Sequence, residues 1–137
     1  MVNNKNLFQQ VKELNLPSGK YALFGSAPLC IRGLKDCSHD IDIIVTEDIW
    51  NEYLKKENWK LKRMDHGSEF LWNNYIELWK DWKPGTWDIE KLIKEVEIID
   101  GLPFVKLEYV IQWKKLLGRE KDLKDIELIE KIFRKIM

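Results

Sequence analysis

The chain has 137 residues, with 23 Lys and Arg, 23 Asp and Glu, and a formal net charge of zero. That length fits one domain with its own core. A hydrophobic content of 45% against 34% charged residues excludes the composition of a disordered chain. Zero net charge argues against sequence-specific binding of duplex DNA driven by phosphate contacts, and no apolar run approaches the ~18 residues of a membrane span. Met1 to Gln10 is polar, without an apolar signal core, so a cytoplasmic protein is expected. Cys30 and Cys37 are expected to be two reduced thiols. Only His39 and His66 could join them as ligands, and no CxxC spacing is present, which disfavours structural zinc.

In chain order, Asn3 or Asn4 caps a first helix carrying Leu7, Val11 and Leu14 at helical spacing, ended by Pro17 to Gly19. Tyr21 to Phe24 reads as a short buried strand stopped by Gly25. Ser26 to Leu34 forms a short helix, and Asp40 to Thr46, rich in Ile and Val, is the most strand-like segment. Glu47 to Lys56 is a helix with Ile49, Trp50, Tyr53 and Leu54 on its apolar side. Trp59 and Leu61 alternate with Lys60 and Lys62 as in a half-buried strand, and Asp65 to Ser68 is a turn. Glu69 to Trp72 and Tyr75 to Trp79 are further strands, Thr86 to Ile93 a short helix, and Val96 to Ile99 a strand ending in Gly-Leu-Pro. Two helices close the chain. Leu107, Val110, Ile111 and Leu117 mark the first, stopped by Gly118, and Leu123, Ile126, Ile129, Phe133 and Ile136 mark the second. The expected fold is an α+β (α/β) sandwich on a mixed sheet, one domain over residues 1–137, with a core at about 20–106 and a helical pair at about 107–137.

The chemistry concentrates between Phe24 and Ile43. A strand ending in Gly25-Ser26 and turning into a helix offers backbone N–H groups and a hydroxyl to an anion such as phosphate. Gly25, lacking Cβ, lets the backbone approach a ligand. Asp40 and Asp42, two apart on a strand, share one face, with Ile41 and Ile43 turned to the core. Such paired carboxylates repel unless a cation sits between them, and their oxygens suit Mg²⁺. Cradle plus pair points to metal-dependent phosphoryl or nucleotidyl transfer. In Tyr75 to Trp79, alternation places Tyr75, Glu77 and Trp79 on one face and Ile76 and Leu78 on the other.

Phe24-Gly25-Ser26, Arg32-Gly33 and Ser38-His39-Asp40-Ile41-Asp42-Ile43 resemble the signature of the nucleotidyltransferase (DNA polymerase β-like) superfamily. The spacing is similar to a small bacterial branch that includes antibiotic nucleotidyltransferases and AbiEii-type toxins. A second block is similar to that branch: Gly101-Leu102-Pro103, Leu107-Glu108, Lys114, Gly118-Arg119 and Lys121-Asp122 through Asp125. The resemblance spans about residues 21 to 130. It implies a four- or five-stranded mixed sheet with flanking helices. It also implies two Mg²⁺ ions on three carboxylates, Asp40, Asp42 and a third acid for which Glu77 is the best match. The family favours Asp there, and Asp81 is the reserve. Gly25 and Ser26 would hold an NTP triphosphate, with Arg32, Lys114, Arg119 and Lys121 as further nucleotide-binding candidates. Arg119 and Lys121 could equally pair with Asp122 and Asp125, Arg32 could equally meet a carboxylate, and His39 reads as an exposed residue at the cleft edge. Among the seven Trp, those from Trp79 to Trp87 either pack in the core or stack on a base.

The activity implied is transfer of an NMP group from an NTP to an acceptor hydroxyl, releasing pyrophosphate. The acceptor could be a small molecule, a tRNA or a protein. A homodimer or a small helical partner could complete its site. The alternative is a catalytically inactive nucleotide-binding or protein-interaction module on the same fold, such as one half of a toxin–antitoxin pair.

Overall fold

Short β-branched and aromatic runs, broken by Gly and Pro, nucleate a central sheet, and amphipathic helices bury their apolar stripes on both its faces. A computed structural model describes residues 4–37 and 40–136. The readings made for Asn3, Ser38 and His39 fall outside the described residues. The elements are α1 (Asn4–Leu14), β1 (Tyr21–Leu23), α2 (Ala27–Cys30), β2 (Ile41–Val45), α3 (Glu47–Leu54), β3 (Lys60–Arg63) and β4 (Glu69–Asn73). They continue with β5 (Ile76–Trp79), α4 (Ile89–Lys94), β6 (Glu97–Ile99), β7 (Leu102–Phe104), α5 (Leu107–Leu117) and α6 (Glu120–Ile136). No helix among the described residues is long and apolar enough to cross a membrane.

The sheet is mixed and seven-stranded, ordered β3-β4-β5-β2-β1-β7-β6. Pairing is parallel for β2 with β5 and β1 with β7, and antiparallel elsewhere. One face carries Leu23, Ile43, Leu71, Leu78 and Phe104, covered by Leu7, Phe8 and Val11 of α1 and by Ile49, Trp50 and Tyr53 of α3. The other face carries Ala22, Ile44, Phe70 and Trp79 in one cluster with Leu92 and Ile93 of α4, Val110 of α5 and Ile129 of α6. Alternation along each strand divides the side chains between these layers.

The sheet has more strands than the resemblance implies. Part of the excess is a hairpin at Asp100-Gly101, where the sequence reads only a strand end. Both residues have positive φ, 52° and 78°, and Ile99 pairs with Leu102 across them. An Asp-Gly loop of this kind fits the twist of two antiparallel strands, so Gly-Leu-Pro opens β7 instead of closing β6. The helix expected over Ser26 to Leu34 contracts to four residues. β3 is exposed along its whole length, Leu61 at 50%, because it is an edge strand with nothing beyond it. Tyr75 lies ahead of β5 and packs against the Leu7–Phe104 layer, so it does not share the Glu77 face.

The two cysteines are also different from expectation. Cys30 ends α2, Cys37 ends the following loop, their Cα atoms are 5.8 Å apart and they form a disulfide. The sequence offered no short-spaced pair. The turn after α2 (Gly33 at φ 73°) folds the loop back and brings the thiols within bonding range.

Candidate active site

Asp42 lies in β2 directly opposite Glu77 of β5, in the same parallel register that pairs Ile41 with Ile76 and Ile43 with Leu78. Residues opposite one another across a ladder emerge on the same face. The Ile and Leu neighbours are buried in one layer, which turns both acids to the other. Asp40 stands one residue before β2 and is exposed. Glu77 stands against both Asp42 and Asp40, near enough for the three carboxyl groups to perturb one another.

Three carboxyl groups this close cannot all be ionised without a counter-charge. Burial, then the hydrogen bonds to Asp40 and Asp42, then the charges of those two acids push the Glu77 pKa up to about 9. Asp42 is also raised. Burial drives it and the Asp40 charge adds to it, against hydrogen bonds from Glu77 and Trp79. A cation among these carboxylates would relieve the same repulsion.

Gly25 closes over this pair. It adopts φ 61°, and a Cβ on it would come within 2.5 Å of Asp42 Oδ2. The backbone amide of Phe24 donates to Asp42 O at 2.9 Å, which holds the end of β1 against β2. Ser26 follows as the first residue of the turn into α2, its carbonyl accepting from Leu29 and Cys30 N–H at 3.0 Å. Gly25 thus packs directly against the Asp42 carboxylate, where any side chain would collide with it. The site's donors are all carboxylate oxygens, the set that Mg²⁺ prefers. Among the described residues, no group of three or more His, Cys, Asp or Glu is arranged to hold a metal ion. What the site does offer a divalent ion is the chemistry of its donors, carboxylate oxygens with Gly25 packed against one of them.

Trp79, which the sequence gives a packing or base-stacking role, contacts the site directly. Its indole Nε1–H donates to Asp42 Oδ1 at 3.1 Å, fixing the carboxylate and leaving Oδ2 toward Gly25. The available signal was its position two residues beyond Glu77 on the same strand face. Trp79 is itself stacked on Phe70 with ring centroids 4.6 Å apart. Trp82 stacks on Phe24 at 4.6 Å, and the Trp87 indole donates to Pro84 O at 2.9 Å, so both serve packing. Asp81, the reserve acid, lies just past β5 with a buried Oδ1 that has no hydrogen-bond partner among the described residues.

Gly25, Asp40, Asp42 and Glu77 come together, with Ser26 beside them. Three of the four basic candidates are engaged elsewhere. Arg32 pairs with Glu97 at the head of β6 and donates to Pro28 O at 2.6 Å. Lys114 is 2% exposed and sits between Asp122 Oδ1 at 3.6 Å and Asp125 Oδ2 at 2.9 Å. Arg119 Nε donates to Asp122 Oδ2 at 2.6 Å. Burial pushes the Asp122 carboxyl up, but the Arg119 hydrogen bonds and the Lys114 charge outweigh it and hold the pKa below the usual range. Lys35, in the disulfide-closed loop, reaches Asp125 Oδ2 at 3.0 Å, so this network ties the segment between Gly25 and Asp40 to α5 and α6. Lys121 is exposed on α6. No protein-family model, curated protein or solved structure matches the chain.

Proposed function

We propose that the protein is a metal-dependent nucleotidyltransferase. The observation that carries this reading is the register of Asp42 against Glu77 beside a positive-φ Gly25 packed against Asp42 Oδ2. Asp40, Asp42 and Glu77 would hold Mg²⁺, which when bound supplies charge neutralisation for the triphosphate and lowers the pKa of an attacking hydroxyl. Gly25 and Ser26 orient the triphosphate over the carboxylates. The Trp79 indole keeps Asp42 in one rotamer, so the geometry is set before substrate arrives. An acceptor hydroxyl oxygen then bonds to the α-phosphorus, the bond from that phosphorus to the β-phosphate bridging oxygen breaks, and pyrophosphate leaves with that electron pair. Glu77, ionised with the metal in place, takes the hydroxyl proton.

A second reading, a non-catalytic nucleotide-binding or protein-interaction module, is favoured by one observation: Lys114 is engaged by Asp122 and Asp125. Calorimetric titration of ATP, GTP, CTP and UTP with and without Mg²⁺, on wild type and Asp42→Asn, separates the two. Transferase function requires Mg²⁺-dependent binding that is lost in Asp42→Asn, together with loss of NMP transfer in a variant that keeps its fold. Transfer at wild-type rate by Asp42→Asn would sink the assignment. Metal-independent binding without turnover would leave the module reading in its place.

A further inference from the structure

The ladder that places Asp42 beside Glu77 continues outward. Glu77 pairs with Trp72 of β4, and Trp72 pairs with Lys60 of β3. One row therefore runs Asp42, Glu77, Trp72, Lys60 across the sheet to its open edge, all on the carboxylate face. The next row on that face ends in Lys62, opposite Phe70. Lys60 and Lys62 are exposed and Trp72 is half-buried. The Lys62 ammonium lies over the Trp72 ring, 4.1 Å from its centroid. Leu61 and Arg63 alternate to the opposite face, where Arg63 pairs with Glu69.

A cluster of acids repels any polyanion that must approach it. Flanking cations remove that barrier, and here they stand about 10 Å from Glu77, two strand spacings away. The segment from Lys55 to Arg63 has five basic residues and one acid, Glu57, in a chain of zero net charge. The indole between the lysines supplies a flat apolar surface, packed against the Ala22–Ile129 cluster and carrying the Lys62 ammonium over its ring. Aromatic platforms flanked by cations are how proteins hold single strands without reading sequence.

We infer that the β3–β4 edge binds a single-stranded polynucleotide terminus, placing its end hydroxyl at the carboxylates. A base stacks on Trp72, and Lys60 and Lys62 neutralise adjacent phosphates. This inference rests on the transferase reading for the chemistry at the terminus, but the binding itself does not. The test is fluorescence anisotropy of a labelled single-stranded RNA of about 12 nucleotides, inside the usual range of site sizes. It is run without NTP or metal on wild type, Lys60→Ala/Lys62→Ala, Lys60→Arg/Lys62→Arg and, on α6, Lys124→Ala/Lys131→Ala, with melting curves confirming each fold.

Wild type should bind with a marked salt dependence. The Lys60→Ala/Lys62→Ala variant should lose at least tenfold in affinity, and its log–log salt slope should fall by about 1.4, or about 0.7 per lost phosphate contact. The arginine pair should restore binding, and the α6 pair should leave it unchanged. Equal loss in the α6 variant, equal affinity for polyglutamate, or self-association abolished by the β3 variant would overturn the assignment. RNA binding without NTP binding would keep this inference and remove the transferase reading. NTP transfer without RNA binding would do the reverse.

Discussion

Replacing Gly25 by Ala separates two effects that the structure keeps distinct. At φ 61° an L-residue is strained, at a cost of roughly 1–3 kcal/mol. For a domain of this size that corresponds to a fall in Tm of about 3–12 °C. Gly19 has φ 84° and nothing within 4 Å of a Cβ, so Gly19→Ala should show this strain alone. At Gly25 the new methyl would also stand 2.5 Å from Asp42 Oδ2. Asp42 cannot simply swing away, because the Trp79 indole holds its other oxygen at 3.1 Å and its backbone is paired on both sides. The carboxylate must leave its rotamer or β1 must part from β2. Gly25→Ala should therefore lose more stability than Gly19→Ala, and only Gly25→Ala should lose Mg²⁺-nucleotide binding, by at least tenfold. Thermal melts and calorimetry on the pair provide the assay. Wild-type nucleotide affinity in Gly25→Ala would refute the assignment of Gly25 and Asp42 to one site.

Three further outcomes follow from other parts of the molecule. The Glu77 carboxyl titrates at 4.5 in an open chain and at about 9 in the fold. Its contribution to stability is therefore complete below pH 4.5 and lost progressively up to about pH 9. In chelator, wild-type Tm should fall relative to Glu77→Gln over that window, and Mg²⁺ should reduce the difference; a parallel pH dependence of the two would contradict the raised Glu77 pKa. Lys114→Met leaves Asp122 and Asp125, 0% and 8% exposed in their side chains, without their buried cation, and should cost about 3–5 kcal/mol in urea unfolding. Cys30→Ser/Cys37→Ser opens a loop of sequence separation 7 and should lower unfolding free energy by about 2–3 kcal/mol; wild type under reductant should behave the same way.

Local chemistry made several parts of the site legible. Gly25, Asp40 and Asp42 lie within one strand–turn–strand unit, where spacing dictates faces and a lone glycine before a polar turn signals a close approach. Helices α1, α5 and α6 were readable because their apolar periodicity runs three turns or more and Gly118 supplies a left-handed stop at φ 65°. Glu77 was singled out as the acid on a later strand that best matches the third carboxylate the resemblance implies; its partner across the ladder depends on parallel register between β2 and β5, which no local pattern specifies. The engagement of Lys114 was similarly open. Only the docking of α6 on α5 put Asp122 and Asp125 around its ammonium group.

The sequence by itself therefore determined the identity of the chemical groups and the local faces they occupy, since periods of 2 and 3.6 residues are properties of the backbone. Tertiary structure decided which distant groups share a face, and so their charge states. Asp42 and Glu77 meet only because β2 and β5 pair, although 35 residues separate them. Proximity and burial then raise both pKa values, effects that depend on distances between strands and have no counterpart along the chain.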